Sequence, residues 1–321
     1  MEKVINKLPL DKTLRRHINK NKMQDYLWKI VRTILIIGIC FVIIYPILAR
    51  LSLALRGKED IFDTTIIWIP KHVTLDNFRV AAKLMDYFSA MKNTIIIAVT
   101  CTILQTLSCT IVGYGFARLK FKGSNLLFSL VIFTIVVPPQ TIMIPSYLNY
   151  RFFDVFGLIE LITGNKGVNL IDTFWPFIIS SATATGLKNG LYIYIFRQTF
   201  RGLPKEIEEA AYVDGCSIFK TFYKIMLPNS NPSIVTVALF SFVWQWNDCF
   251  YVGQYLSKTK VLSTQLMGLP SAMNFIDGRN PIYDNILLNA GSLLVIAPLI
   301  IIYLFCQRYF VEGVERTGIV G

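Results

Sequence analysis

The chain has 321 residues, 54% of them hydrophobic and 16% charged, with a formal net charge of +12. Its cations are dispersed over loops and an N-terminal tail with no nucleic-acid module around them, so membrane topology and anionic lipid explain the charge better than nucleic acid does. The apolar residues are gathered into runs long enough to cross a bilayer, which excludes a soluble globular domain.

In chain order, the first 32 residues hold Lys3, Lys7, Lys12, Arg15, Arg16, Lys20, Lys22, Lys29 and Arg32, a basic tail expected to stay in the cytoplasm. A hydrocarbon core of about 30 Å needs roughly 20 helical residues. Six runs qualify as spans: 33–55, 93–114, 125–147, 173–196, 233–252 and 284–306. Internal Pro and Gly (Pro46, Pro138, Pro139, Gly186, Gly190, Pro298) are tolerable there because neighbouring spans re-satisfy the backbone. The expected fold class is therefore all-α, a polytopic integral membrane protein with six transmembrane helices over residues 33–321.

Six crossings return the C-terminal tail, 308–321, to the cytoplasm, together with Arg118, Lys120 and Lys122 and with Arg197, Arg201, Lys205, Lys220 and Lys224. The loop from Arg56 to Lys92 weakens that bias, although Asp60, Asp63, Asp76 and Asp86 accompany its cations. The first run is of spanning length and follows about 30 polar and basic residues, so a retained span is expected rather than a cleaved signal.

Six cysteines (Cys40, Cys101, Cys109, Cys216, Cys249, Cys306) lie mostly in the spans without a CxxC pair, and packing is their expected role. His17 and His72 are read as far from any cluster that would complete a metal site, so no metal is expected. No GxxxxGK[ST] loop occurs; Thr185 to Gly190 is a decoy inside an apolar run. The chain is expected to be no enzyme, and any nucleotide would have to be bound by another polypeptide.

Residues 198–232 form a polar island between the fourth and fifth runs. Leu203-Pro204-Lys205-Glu206-Ile207-Glu208-Glu209 reads as a helix start, with proline in the first turn and carboxylates at the positive end of the macrodipole. Ala210 and Ala211 give it a small-residue face, and Asp214-Gly215 a bend. Ile218, Phe219, Phe222 and Ile225 then recur at helical spacing, with Lys220 and Lys224 facing away, until Pro228 ends the run. Two such short helices need a surface to bury against. A lipid interface is one reading; a groove on a protein partner suits the glutamates and alanines better.

Glu209-Ala210-Ala211, three residues, Gly215, nine residues, Ile225, one residue, Leu227-Pro228 resembles the signature of permease subunits of ABC importers. Tyr114-Gly115-Phe116-Ala117-Arg118, Pro138-Pro139-Gln140, Ile144-Pro145, Phe196-Arg197-Gln198, Trp246-Asn247-Asp248 and Gln307-Arg308-Tyr309-Phe310 with Gly313 are similar to the maltose-type second permease of the carbohydrate branch. The resemblance implies a type I importer fold and a cytoplasmic coupling helix within 203–228. It implies docking to an ATPase dimer, which binds the ATP and Mg, through Glu208, Glu209, Ala210, Ala211, Asp214, Gly215, Ile225, Leu227 and Pro228. It also implies a homologous, different permease beside this one, a solute-binding protein outside, a sugar cargo of oligosaccharide class, and a bacterial cell membrane. The tail from Glu312 to Gly321 would reach the ATPase, although Val320 stands where the family often has lysine.

Two external segments follow. The polar stretch from Gly253 to Asp284 is the one related permeases use to touch the binding protein. Residues Glu160 to Asn169 interrupt an otherwise continuous family pattern, either tuning that docking or as a tolerated surface insertion. For the pathway, Asp248 and Lys188 are ionisable groups within apolar runs, and Trp244, Trp246 and Tyr251 could stack on sugar rings beside Asn247. Asp248 could equally serve a helix terminus, and Lys188 could neutralise an acidic sugar or snorkel to an interface. The alternative class, an ion-coupled secondary transporter, would carry inverted repeats and paired acidic residues, and neither is evident.

Overall fold

The computed structural model describes residues 12–60, 63, 65, 66, 68–164, 166–273 and 281–318. Among these the chain is helical, with two isolated antiparallel bridges, Arg56 to Val73 and Phe153 to Val168, and no longer strand. It divides into two units, residues 1–74 and 75–321.

In the first unit, helix α1 (Lys12–Ala54) begins inside the basic tail, so the described part of the tail and the first apolar run are one continuous helix. Its apolar side chains from Met23 to Leu48 are exposed. A helix apolar on all sides and unburied by its own chain suits lipid. Beyond it the chain folds back: Gly57 N–H donates to the His72 carbonyl (2.8 Å) and Thr74 N–H to that of Leu55 (2.9 Å).

His72 is not remote from carboxylates, as the sequence distance suggested. Its amide donates to Asp60 Oδ2 (2.8 Å), its Nδ1 lies 2.7 Å from Oδ1, and Nε2 is 3.5 Å from Glu59. No group of three or more metal-ligating side chains occurs among the described residues. The hydrogen bond to Asp60, and then its charge, raise the imidazole pKa. A pKa raised by folding makes this contact fully stabilising below the ordinary histidine value and lost as pH climbs through the raised one. Hydrogen exchange at Gly57 and His72, corrected for intrinsic rates, should therefore accelerate over that window, and His72→Asn should remove the step.

The second unit contains α2 (Asp76–Leu84), α3 (Tyr87–Arg118), α4 (Ser124–Val136), α5 (Met143–Arg151), α6 (Leu158–Thr163), α7 (Trp175–Ala182) and α8 (Asn189–Gly202). It continues with α9 (Lys205–Val213), α10 (Ile218–Thr221), α11 (Leu227–Asn229), α12 (Asn231–Trp246), α13 (Phe250–Tyr255), α14 (Leu262–Met273) and α15 (Pro281–Gly318). α3 is the central rod. It packs on α7, α8 and α12 and supplies residues to all three core clusters: Ala90 and Ala98, Ile97 and Cys101, Cys109 and Tyr114. A β-carbon on Gly113 would stand 2.5 Å from that of Phe196, so the α3–α8 crossing requires glycine there.

Among the described residues the six expected spans are not all single helices. Three helices, Met23–Ala54, Tyr87–Arg118 and Pro281–Gln307, are long and apolar enough to cross a membrane alone, and the α4–α5 pair, bent by 105°, gives a fourth if counted as one. The bend falls at Pro138-Pro139, where Val137 is extended as a residue before proline must be. The run at 173–196 breaks between α7 and α8, with Ala184 and Lys188 in the left-handed region. The run at 233–252 breaks at Asn247-Asp248-Cys249.

The stretch from Gly253 to Asp284 is likewise not a plain polar loop. Its middle is α14, whose Leu262, Leu269 and Met273 are buried in a core cluster shared with α15; residues 274–280, with Asp277 and Arg279, lie outside the described residues. Lys260 pairs with Asp86 at 3.2 Å. The 160–169 insert begins within α6, started by Asp154 accepting from the Ile159 and Glu160 amides. Cys101 and Cys109 are buried, but Cys40 and Cys249 are exposed, so packing accounts for only part of the cysteine set.

Candidate functional site

Two places gather the residues singled out above. The first is the island after α8. Leu203 is extended ahead of Pro204, which ends α8 and starts α9. α9 closes in a Schellman motif: Cys216 N–H donates to the Ala211 carbonyl (2.9 Å), Gly215 N–H to that of Tyr212 (3.0 Å), and Gly215 takes φ +76°. The following segment is not one regular helix. After the single turn of α10, residues Phe222–Met226 form a π turn, with the Leu227 amide donating to the Phe222 carbonyl. The chain then runs through α11, which contains Pro228, into α12, so Pro228 does not end the helical path.

Phe219 and Phe222 nevertheless have different surroundings, although the turn between them is regular and the π turn begins only at Phe222. Phe222 packs on Tyr114, ring centroids 4.8 Å apart, whereas Phe219 is 85% exposed. On α9, Glu209 and Ala210 are exposed, as are Asp214 and Gly215 beyond it. Pro228 is exposed, and Ile225 and Leu227 are half-buried. Ala211 and Glu208 turn inward and do not belong to that outer face. Glu208 is only 7% exposed; it accepts hydrogen bonds from the Tyr114 hydroxyl (2.7 Å) and the Tyr212 hydroxyl (2.9 Å) and lies 3.4 Å from Arg118. Arg118 also donates to the Leu203 carbonyl (2.6 Å). Tyr114 and Arg118, one turn apart at the end of α3, thus clamp α9 to the central rod.

The second place is a cavity of about 260 Å³ where the three helix breaks meet. The α4–α5 bend contributes Ser146, Asn149 and Tyr150, the α7–α8 break Ser180, Thr185 and Gly186, and the α12–α13 break Gln245, Asp248, Tyr251 and Tyr255. Broken backbone needs substitute partners. α3 supplies one to the Leu187 carbonyl in the break, from Gln105 Nε2 (3.0 Å), and the same face donates to the flanking helix carbonyls: Cys101 Sγ to Phe177 (3.8 Å), Ser108 Oγ to Ser181 (2.7 Å) and Cys109 Sγ to Asn189 (3.8 Å). These four residues, spaced at i, i+4, i+7 and i+8, were absent from the sequence-based site. Their signal was available as small and polar residues at helical spacing within an apolar run.

Of the pathway candidates, Asp248 and Tyr251 are in the cavity wall. Asp248 is 7% exposed; Oδ1 accepts from the Phe250 and Tyr251 amides (3.0 and 3.1 Å), starting α13, while Oδ2 has no hydrogen-bond partner. One oxygen thus serves the helix terminus, while the side chain as a whole stands in the cavity wall. Trp246 is instead a core residue, 1% exposed, donating Nε1–H to the Val295 carbonyl (3.2 Å). Trp244 lies outside the wall with Lys188 Nζ 4.6 Å over its ring, and Asn247 is exposed, donating to the Val243 carbonyl.

A family model described as the binding-protein-dependent transport system inner membrane component matches residues 109–316. The arabinooligosaccharides transport system permease protein AraQ of Halalkalibacterium halodurans is 30% identical over 286 residues, 88% of this chain and 93% of that protein. The osmoprotective compounds uptake permease protein GgtD of Synechocystis sp. is 32% identical over 320 residues, 98% of each. A chain in the crystal structure of a bacterial ABC transporter involved in the import of the acidic polysaccharide alginate shares the fold, with a TM-score of 0.67 at 20% identity over 89% of this chain and 98% of that one. The chain belongs to the family of binding-protein-dependent transport system inner membrane components.

Proposed function

We propose that this chain is one of two membrane subunits of an ATP-driven importer of carbohydrate, of oligosaccharide class. The relatives' cargoes, arabinooligosaccharides among them, support the class. On this reading α7–α8 and α12–α13 are broken spans, which with α1, α3, α4–α5 and α15 make six crossings and leave both termini in the cytoplasm. A cavity of about 260 Å³ falls just below the ~300–1,000 Å³ of complete ligand pockets, as one wall completed by a homologous permease would. The binding protein would dock outside, near 160–169 and the start of α14. The chain needs no cofactor of its own, since ATP and Mg belong to the ATPase dimer.

The observation that carries the reading is the division of labour on α9. Glu208 faces in and is bound to α3, while Glu209 and Ala210 face out. A helix gripped from behind transmits a push on its outer face, with Glu209 pairing with a basic residue of the ATPase. Closure of the ATPase around nucleotide would move α9, and with it α3 and the breaks that α3 holds. Driving such a two-state change from 1:99 to 99:1 takes about 5.5 kcal/mol of differential binding. Ala210→Cys, in intact cells with short bifunctional thiol reagents, should crosslink to an ATPase subunit, and Ala211→Cys, 4% exposed in the parent chain, should not. Equal capture from both positions, or from neither, would overturn the docking face.

A further inference from the structure

The cavity's composition goes beyond carbohydrate as a class. We infer that its wall is a hydroxyl-recognising site for uncharged sugar or polyol, with Asp248 the specificity-determining acceptor that turns away cargo bearing carboxylates. This rests on the importer reading and narrows it.

Two buried acceptors in the wall are unsatisfied: Asp248 Oδ2 and Gln245 Oε1. A buried acceptor left unpaired is costly, and a donor brought by a ligand relieves that cost. Sugar hydroxyls are such donors and also accept, which suits Ser146, Asn149, Ser180 and Thr185 nearby. The apolar side of the wall is aromatic. Tyr251 stacks on Tyr255 with centroids 6.0 Å apart, and Tyr150 meets Tyr255 edge-on at 5.2 Å, a rigid surface for the C–H faces of a sugar ring.

The charge argument sets the selectivity. Among the described residues, no lysine or arginine lines the cavity. The nearby cation, Lys188, is held over Trp244 instead. A carboxylate-bearing sugar would meet Asp248 with no positive partner in the wall, a like-charge contact poorly screened in a partly enclosed site. A cationic ligand fits less well than a neutral one, because half of the carboxylate is already committed to starting α13.

Asp248→Asn separates the roles, because the amide oxygen can still accept from the Phe250 and Tyr251 amides while the free acceptor becomes a donor. The complete importer, with its binding protein, would be purified and reconstituted in proteoliposomes. Arabinotriose and trimannuronate would be compared in two assays, ATP-dependent uptake and equilibrium binding to the detergent-solubilised permease pair. Wild type should prefer the neutral trisaccharide. Asp248→Asn should raise the KM and Kd for it by about tenfold or more while narrowing the preference over the acidic one. Equal handling of both sugars by wild type, preference for the acidic one, or an Asn variant with wild-type affinity and selectivity would each overturn the site. Asp248-dependent binding without uptake would keep the site and sink the importer reading; uptake indifferent to Asp248 would do the reverse. Neither binding nor uptake of either sugar would sink both.

Discussion

Glu208→Ala should uncouple the importer, leaving ATP hydrolysis running while uptake falls. The substitution removes an acceptor shared by Tyr114 and Tyr212 and strands Arg118, whose side chain is 6% exposed. Breaking a buried ion pair from one side costs about 3–5 kcal/mol, because the remaining charge stays buried without its partner. Even ~3 kcal/mol lowers the population of clamped α9 on the order of a hundredfold. The ATPase would then move a helix no longer tied to α3. Glu208→Gln, which can still accept from both tyrosines but loses the ion pair, should fall between. Hydrogen exchange over 205–213 and the ratio of sugar imported to ATP hydrolysed test this directly. If Glu208→Ala imports at the wild-type ratio, the clamp does not transmit.

Glu208 also shows where sequence reasoning stopped. Three glutamates stand within the first turns of α9, and all of them suit a helix N-terminus equally well. Which one faces inward depends on Tyr114 and Arg118, ninety-four and ninety residues earlier in the chain. The island itself was legible because its spacing of Glu209, Gly215 and Pro228 is local, and Gly215 does form the left-handed bend its residue type allows. Regularity beyond it was not. A π turn adds a residue without changing composition, so nothing in the apolar spacing announced the one at Phe222–Met226, and apolarity alone did not tell exposed Phe219 from Phe222, which packs on Tyr114.

Hydropathy has the same blindness inside the spans. It sums side chains and does not register backbone dihedrals, so the runs at 173–196 and 233–252 read as continuous. Pro138-Pro139 was a visible stop and coincides with the 105° bend. Asn247-Asp248 was a weaker sign, since Asp can start a helix as well as face a pathway. The break at 183–188 had only Gly186 to announce it, while the left-handed residues are Ala184 and Lys188. Such conformations persist only where surroundings over-determine them. Here the surroundings are the polar face of α3, which makes that face the place to test how the cavity is kept.

Gln105→Leu should loosen the break and the cavity together. Gln105 is fully buried; its Nε2 donates to the Leu187 carbonyl, its Oε1 accepts from the Ser241 hydroxyl, and Gly186 is close enough that an added β-carbon would lie 3.0 Å from Nε2. Leucine keeps the approximate volume but satisfies neither neighbour, at about 1–3 kcal/mol for each buried group left unpaired. Ser241 can recover part of this by turning to a carbonyl of its own helix, whereas the Leu187 carbonyl sits at the break with no ladder to rejoin. The left-handed residues on either side, costing about 1–2 kcal/mol each, then lose the restraint that holds them. The variant should insert and pair normally, unfold at lower temperature in detergent, and show faster proteolysis at 183–188 and weaker sugar binding. Ser108→Ala, which removes one donor from a Ser181 carbonyl that the Ala184 amide still reaches at 3.4 Å, should do the same to a smaller degree. If Gln105→Leu melts no earlier than Ser108→Ala and binds sugar as well, the break is held by packing alone and the polar face of α3 is incidental to the cavity.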